Sequence, residues 1–376
     1  MSLITYMTRV HFEDGGLEAA LADELSANGI TRPLIVTDAG VVAAGLVERL
    51  RDALPAGMTG ETFDRTPPNP TEAAVRDAAR VYAEGDCDGL VSIGGGSSLD
   101  LAKATGLAAT HDGPLEGYTA SAGGTDRIRD ILPPHIAIPT TAGTGSEVSP
   151  SCVIILDNGM KRGIRSPFMY PTASICDPTL TLTLPPAMTA GTGMDALTHC
   201  VETYISAAWN PPADGIAIDG LTRAAAHLEI AVGDGGNADA RREMLAAAMN
   251  GALAFPKGLG AVHAASHALG ALDPTLHHGM LNAVLLPAVL EFNATAAGHR
   301  YDALARAIGI DRGANVPGWI ARLNERIGIP SGLAAMGVDA AIVEKAAPLA
   351  ETDHTNRTNP RVAVADDYRA ILQAAM

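Results

Sequence analysis

Two periodicities divide the chain. Up to about Leu184, short apolar runs alternate with amphipathic stretches. RPLIVTD (Arg32 to Asp38), GLVSIGG (Gly89 to Gly95), HIAIPTT (His135 to Thr141) and SCVIILD (Ser151 to Asp157) are short, rich in branched residues and bounded by turn formers, which predicts strands. Gly16 to Asn28, Val42 to Ala53 and Thr71 to Glu84 have helical spacing instead. This alternation predicts a mostly parallel sheet covered on both faces. The turn TPPNPT (Thr66 to Thr71) ends on a threonine suited to cap the helix that follows. After Leu184 the strand signal fades, and Ala-rich helical periods with short Gly/Pro breaks run to Met376. The change falls at Pro185 and Pro186, so the expected organisation is an α/β domain over residues 1–184 and an all-helical domain over 185–376.

The length of 376 residues suits two domains, each able to bury a core. The 26 basic and 42 acidic residues leave a net charge of −16, a field that would repel a nucleic acid or an anionic membrane. Cys87, Cys152, Cys176 and Cys200 form no CxxC pair and sit in apolar runs, as buried free thiols do in a reducing compartment. The first residues lack a basic stretch followed by an apolar one, and no run of about 18 apolar residues occurs. The expectation is a cytoplasmic, soluble protein without nucleic-acid or membrane partners.

The helical half carries the polar pattern that composition does not require. In GTGMDALTHCVETYIS, Asp195 and His199 are four apart; in GLGAVHAASHALG, His263 and His267 are again four apart, and His277 and His278 follow. Residues at i and i+4 share one helix face, so each segment can aim two polar groups at one point. A lone histidine in an Ala-rich helix is usually a hydrogen-bonded core residue, but two such pairs followed by HHG are harder to account for by packing, because burying them unpaired is costly. Carboxylate and imidazoles without thiolate suit Fe²⁺, Zn²⁺ or another borderline divalent ion in a catalytic site. Spacing alone leaves the role of each histidine open.

In the α/β half, GLVSIGGGSSLDLAK reads as strand, glycine-rich turn and helix. Gly94, Gly95 and Gly96 allow close backbone approach, and the helix start offers free N–H groups and partial positive charge to a pyrophosphate. It is neither GxGxxG nor a Walker A loop, and a merely tight turn would look the same. IAIPTTAGTGSEVSP adds small hydroxyl residues at another strand end, the chemistry of a nucleotide crevice. Asp38 closes the strand LIVTD, where a carboxylate can accept bonds from ribose hydroxyls and would repel a 2′-phosphate, favouring NAD over NADP; a cap or turn role is the simpler alternative.

GGGSSLDLAK, PTTAGTGSEV, GMDALTHCVE and GLGAVHAASHALG…HHGMLNAVLLP resemble, in order and nearly end to end, the iron-dependent (group III) alcohol dehydrogenases. The resemblance implies an N-terminal dinucleotide-binding α/β domain and an all-α C-terminal domain, the fold shared with dehydroquinate synthase, with the active site in the cleft between them. It implies a homodimer or larger homo-oligomer. Carried over by position, it makes Asp195, His199, His263 and His278 the metal ligands; counting forward from His267 would favour His277, anchoring on the glycine favours His278. His267 matches a family histidine near the substrate that carries protons. Asp38 is placed at the adenosine ribose, Gly95, Gly96 and Ser97 at the pyrophosphate, Thr140, Thr141 and Thr144 near the phosphates and nicotinamide, and Lys161 at the cofactor ribose. TRVHFEDG, WNPPADGIAIDG, AFPKGLGAVH and TDHTNRTNPRVAVADDYRAIL look like the branch containing 4-hydroxybutyrate dehydrogenases. Lys257 would then hold a substrate carboxylate, with Arg165 and His354 as weaker candidates; a cap at a helix end is the competing role for Lys257. The implied activity is metal-dependent, NAD-linked hydride transfer on an acid-bearing primary alcohol or aldehyde such as 4-hydroxybutyrate or succinate semialdehyde. The alternatives are lactaldehyde, a simple alcohol or maleylacetate as substrate, or a lyase like dehydroquinate synthase.

Overall fold

The computed structural model describes Ile4 and residues 6–376 and divides them into two compact units. Tyr6–Thr141 with Gly145–Thr183 form an α/β unit; Leu184–Met376, with Ala142–Thr144, form a helical one.

The α/β unit is built on strands β1 (Val10–Phe12), β2 (Pro33–Val36), β3 (Glu61–Phe63), β4 (Gly89–Gly94), β5 (His135–Pro139) and, later in the chain, β8 (Ala173–Cys176). They make one parallel sheet in the order β1-β8-β5-β4-β2-β3. Helices α1 (Gly16–Ala27), α2 (Ala39–Ala43), α3 (Leu46–Asp52), α4 (Glu72–Glu84) and α5 (Gly96–Thr110) connect the strands. Alternate residues of β2 go to opposite cores: Leu34 and Val36 pack with α4 and α5, Ile35 with α1 and α3. Both faces are therefore covered, and β2, β4 and β5 read as continuous apolar runs.

Two expectations change here. Ser151 to Asp157 is a strand, but β6 (Ser151–Ile155) pairs antiparallel with β7 (Lys161–Arg165) in a separate ribbon. The short Leu156–Met160 connection forces that hairpin, because a parallel partner needs a long crossover. The helix expected over Val42 to Ala53 is interrupted at Gly45, whose φ of 76° starts α3 afresh. Strands β1, β3 and β8 are too short to show a period.

The hydroxyl-rich loop is tied to α5 by a buried cation. Lys103 donates to the carbonyls of Ser146 (2.6 Å), Ser149 (2.8 Å) and Ser151 (3.0 Å). Asp100, one turn earlier, accepts from the Ser146 hydroxyl (2.6 Å) and the Val153 N–H (2.8 Å). Burial pushes the Lys103 ammonium down and the Asp100 carboxyl up, each opposed by the other's charge.

The helical unit contains α6 (Pro186–Ile205), α7 (Pro211–Gly233), α8 (Ala238–Leu253), α9 (Ala261–Leu272), α10 (His278–Ala307), α11 (Val316–Arg326), α12 (Ala340–Glu351) and α13 (Ala365–Ala374). From Thr189 to Thr203, α6 is buried on every side, as a central helix wrapped by others must be. Helix α10 is long and apolar enough to cross a membrane, but 56% of that window is buried inside the protein, as in a core helix.

Candidate active site

Asp195, His199 and Glu202 lie at 0, +4 and +7 on α6, and all three are buried. The Asp195 Oδ1 atom is the focus. His199 Nε2 lies 3.5 Å from it, and His263 Nε2 and His278 Nε2 each lie 3.7 Å away. His263 comes from α9 and His278 from the first turn of α10. Backbone contact makes that approach possible: a Cβ on Gly279 would fall 2.1 Å from the Gly191 carbonyl oxygen, so α10 meets α6 only because residue 279 has none. His277 caps α10 instead, its Nδ1 accepting from the Met280 N–H at 3.3 Å.

Outer contacts orient this set. His263 Nδ1 lies 2.6 Å from Glu202 Oε2, and Glu202 Oε1 accepts the Val262 N–H at 2.7 Å. Asn359 accepts the Ala261 N–H (3.1 Å), so residues far along the chain cap the start of α9, whose own N-cap is Gly260. A side chain there would collide with both caps: a Gly260 Cβ would sit 2.7 Å from Asn359 Oδ1 and 2.8 Å from Glu202 Oε1. The His199 and His263 rings stack 4.7 Å apart at 18°. Asn282, one turn along α10 from His278, donates to Asp195 Oδ1 at 2.7 Å. His267 stacks on His278 (5.5 Å, 12°), and its Nδ1 lies 3.1 Å from Asp353 Oδ2; the exposed His354 stacks beyond it (6.1 Å, 15°).

The charges follow. Burial lowers His263, but the Asp195 and Glu202 carboxylates outweigh it and push the imidazolium up to about 9. Burial works to raise Asp195, yet His199, His263 and His278 hold it well below the usual carboxylate range. For His199, burial dominates and pulls it down to about 4. One carboxylate oxygen ringed by three imidazole nitrogens is a donor set for a divalent cation. The 3.5–3.7 Å from Asp195 Oδ1 to the three nitrogens is close to the edge of about 3.4 Å of a tetrahedron with bonds of about 2.1 Å, and Asp195, His263 and His278 each offer an atom within 4.8 Å of the others. The Glu202–His263 pair is the carboxylate–imidazole support that metal ligands characteristically have.

In the α/β unit, successive strands are added to opposite sides of the β2–β4 position, the switch point at which nucleotides bind in such sheets. Asp38 stands at that point. Its Oδ1 accepts the Gly40 and Val41 N–H groups, capping α2, and its Oδ2 accepts the Ser98 hydroxyl at 3.0 Å. Gly95 is the N-cap of α5. Ser97 donates to the Pro68 carbonyl, and Lys161 donates to Asn69 Oδ1 at 2.9 Å, so the TPPNPT turn touches both. Thr140 is buried, its N–H donating to the Gly94 carbonyl at 2.9 Å, and Thr141 lies beside Gly95. Thr144 belongs to the helical unit.

Residues 7–178 match the model of the iron-containing alcohol dehydrogenases, and residues 189–376 match that of the C-terminal part of the Fe-containing alcohol dehydrogenase family. The chain is 50% identical to a 4-hydroxybutyrate dehydrogenase of Cupriavidus necator, each covered over its full length. The chain belongs to the iron-containing alcohol dehydrogenase family. It is an oxidoreductase acting on CH–OH groups of small alcohols or their aldehydes. Among solved structures it resembles 1,3-propanediol oxidoreductase (TM-score 0.92, 35% identity, all of both chains). It also resembles a sulfoacetaldehyde reductase of Bifidobacterium kashiwanohense in complex with NAD⁺ (TM-score 0.89, 29% identity, 100% and 98% of the two chains).

One expectation for this alcohol dehydrogenase is corrected. Lys257 does not present its charge for a substrate carboxylate: it is buried, ion-paired with Asp214, and donates to the Tyr204 carbonyl at 2.9 Å, with Arg300 on the same two acceptors. An acid substrate would have to displace Asp214. Sequence reasoning also passed over Glu202, Asn282, Asp353 and Asn69. Glu202 and Asn282 had a signal, since they sit seven residues after Asp195 and four after His278. Asp353 and Asn69 reach their partners only through tertiary folding.

Proposed function

We propose that this dehydrogenase interconverts 4-hydroxybutyrate and succinate semialdehyde with NAD(H), using Fe²⁺ or another divalent ion held by Asp195, His199, His263 and His278. The observation that carries the proposal is the single carboxylate oxygen with three imidazole nitrogens 3.5–3.7 Å from it. The full-length relative from Cupriavidus necator supports the substrate, and the NAD⁺ complex of the sulfoacetaldehyde reductase supports the cofactor. When bound, the ion supplies Lewis-acid polarisation of the substrate oxygen and the nicotinamide supplies the hydride carrier.

The protein's part is orientation and proton handling. Glu202 fixes His263 by its Nδ1, keeping Nε2 directed at Asp195 Oδ1. Asp353, held well below the usual carboxylate range by His267, His354 and Thr355 against the opposing effect of burial, accepts from His267 Nδ1. That leaves His267 Nε2 to take the proton released as the alcohol loses hydride. Asp38, Gly95, Gly96, Ser97, Thr140, Thr141, Thr144 and Lys161 bind the dinucleotide, with the start of α5 toward its pyrophosphate. We place the enzyme in the cytoplasm as a soluble homo-oligomer.

The test is metal analysis of purified enzyme joined to an NAD-linked panel of 4-hydroxybutyrate, 1,4-butanediol and 1-butanol. Metal-dependent NADH accumulation with preference for the acid is expected. Full activity after complete metal removal would refute the metal assignment. The commitment of Lys257 to Asp214 favours a second reading, an uncharged primary alcohol, which a preference for the diol would establish.

A further inference from the structure

Asn282 is fully buried on α10, and its amide nitrogen contacts ligand atoms from three helices. It lies 2.7 Å from Asp195 Oδ1, 3.2 Å from His263 Nε2 and 3.2 Å from His278 Nε2. Asp195 Oδ1 is an acceptor, so the NH₂ end of the amide faces it. The other end has no such reason to be there: Asn282 Oδ1 is buried without a hydrogen-bond partner. A leucine of similar size would carry no orphaned oxygen, so the amide's place here rests on the bond its nitrogen makes to Asp195.

We propose that Asn282 is a positioning residue that sets metal affinity by fixing the ligating oxygen of Asp195. The Asp195 bond is the contact compatible with a bound cation. A carboxylate oxygen has lone pairs for both an ion and a donor, whereas a neutral imidazole Nε2 has only one to give. Held from α10, Asp195 Oδ1 keeps its place between α6, α9 and the His278 turn. This inference rests on the metal-dependent reading above and adds to it a residue outside the ligand set.

The experiment compares N282L and N282A with the unsubstituted enzyme by competition for Zn²⁺ against a chromophoric chelator, and by thermal unfolding in excess EDTA. Both substitutions are expected to weaken Zn²⁺ binding about 10- to 100-fold, the usual loss when an outer support of a metal ligand is removed. N282L should change the unfolding temperature in EDTA far less than it changes affinity, because the orphaned oxygen goes together with the Asp195 bond. N282A, which leaves a cavity, serves if leucine cannot be accommodated. Affinity within twofold of the unsubstituted enzyme in both variants would overturn the proposal. So would an EDTA unfolding temperature that falls in step with affinity, since that is the mark of a purely structural side chain. If the unsubstituted enzyme takes up neither Zn²⁺ nor Fe²⁺, the functional reading itself fails, and this proposal with it.

Discussion

Asp195 is buried, and donors from α9 and α10 as well as its own helix surround one of its oxygens. Asp38, the acid at the strand ends of the other unit, is half-buried and spends its carboxylate on the backbone of α2 and the Ser98 hydroxyl. The helical site is assembled from charged side chains whose geometry depends on one another. The strand-end site is assembled from backbone, glycine and hydroxyl groups. A cation needs side-chain donors at set distances, whereas a dinucleotide is met by the start of a helix and small residues. Single substitutions should therefore be severe in the helical unit and graded in the other.

The largest contrast is expected from His263→Ala. Turnover should drop by on the order of 10³-fold or more with loss of metal, while NADH fluorescence titration gives an unchanged affinity. A matching loss of NADH binding would break the separation between the two sites.

With metal chelated, the pH dependence of stability should carry opposite signs at two buried histidines. His263 titrates at about 9 in the folded chain, above its ordinary 6.5, so its contribution is complete below about 6.5 and is lost as pH rises through about 9. His135, buried between β4 and β5 with Nε2 2.7 Å from the Ser92 hydroxyl, is pushed down to about 3 by burial and by Lys103. Its contribution is complete above about 6.5 and is lost as pH falls toward about 3. Hydrogen exchange should show protection around α9 falling as pH rises through about 9, and protection around β4 and β5 falling as pH drops toward about 3. Protection around α9 that stays unchanged on passing through about pH 9 would overturn the first expectation.

Glu202→Gln keeps the shape of the His263 support and removes its charge. Metal affinity should fall about 10- to 100-fold with little change in KM for NAD. The smallest effect is expected from Asp38→Ala: KM for NAD should rise several-fold and discrimination against NADP should relax, with metal content unchanged. A change in bound metal in the Asp38 variant would show the two sites to be coupled.

The helical site was more legible in the sequence than its surroundings. Asp195, His199, His263 and His267 announce themselves by i,i+4 spacing, because a helix converts sequence distance into direction. Between His277 and His278 the sequence could not decide by counting; the cap bond from Met280 to His277 is a three-dimensional fact. Lys257 misled for the same reason, since nothing local shows that Asp214 lies across from it. In the α/β half, β2, β4 and β5 were legible as continuous apolar runs, while β1, β3 and β8 depend on pairing for their existence. The segment Ser151 to Asp157 reads as part of the main sheet because a strand looks alike in either orientation, and β7 gives no strand signal of its own.

The Lys103 clamp has a mechanical consequence for the nucleotide end. Three carbonyls of the segment from Ser146 to Ser151 converge on one ammonium group rooted in α5, so peeling that segment away would strand a cation in an apolar interior. The start of α5 and the segment beyond Ser146 are therefore held to each other through one side chain, and loosening either would expose the cost of the other.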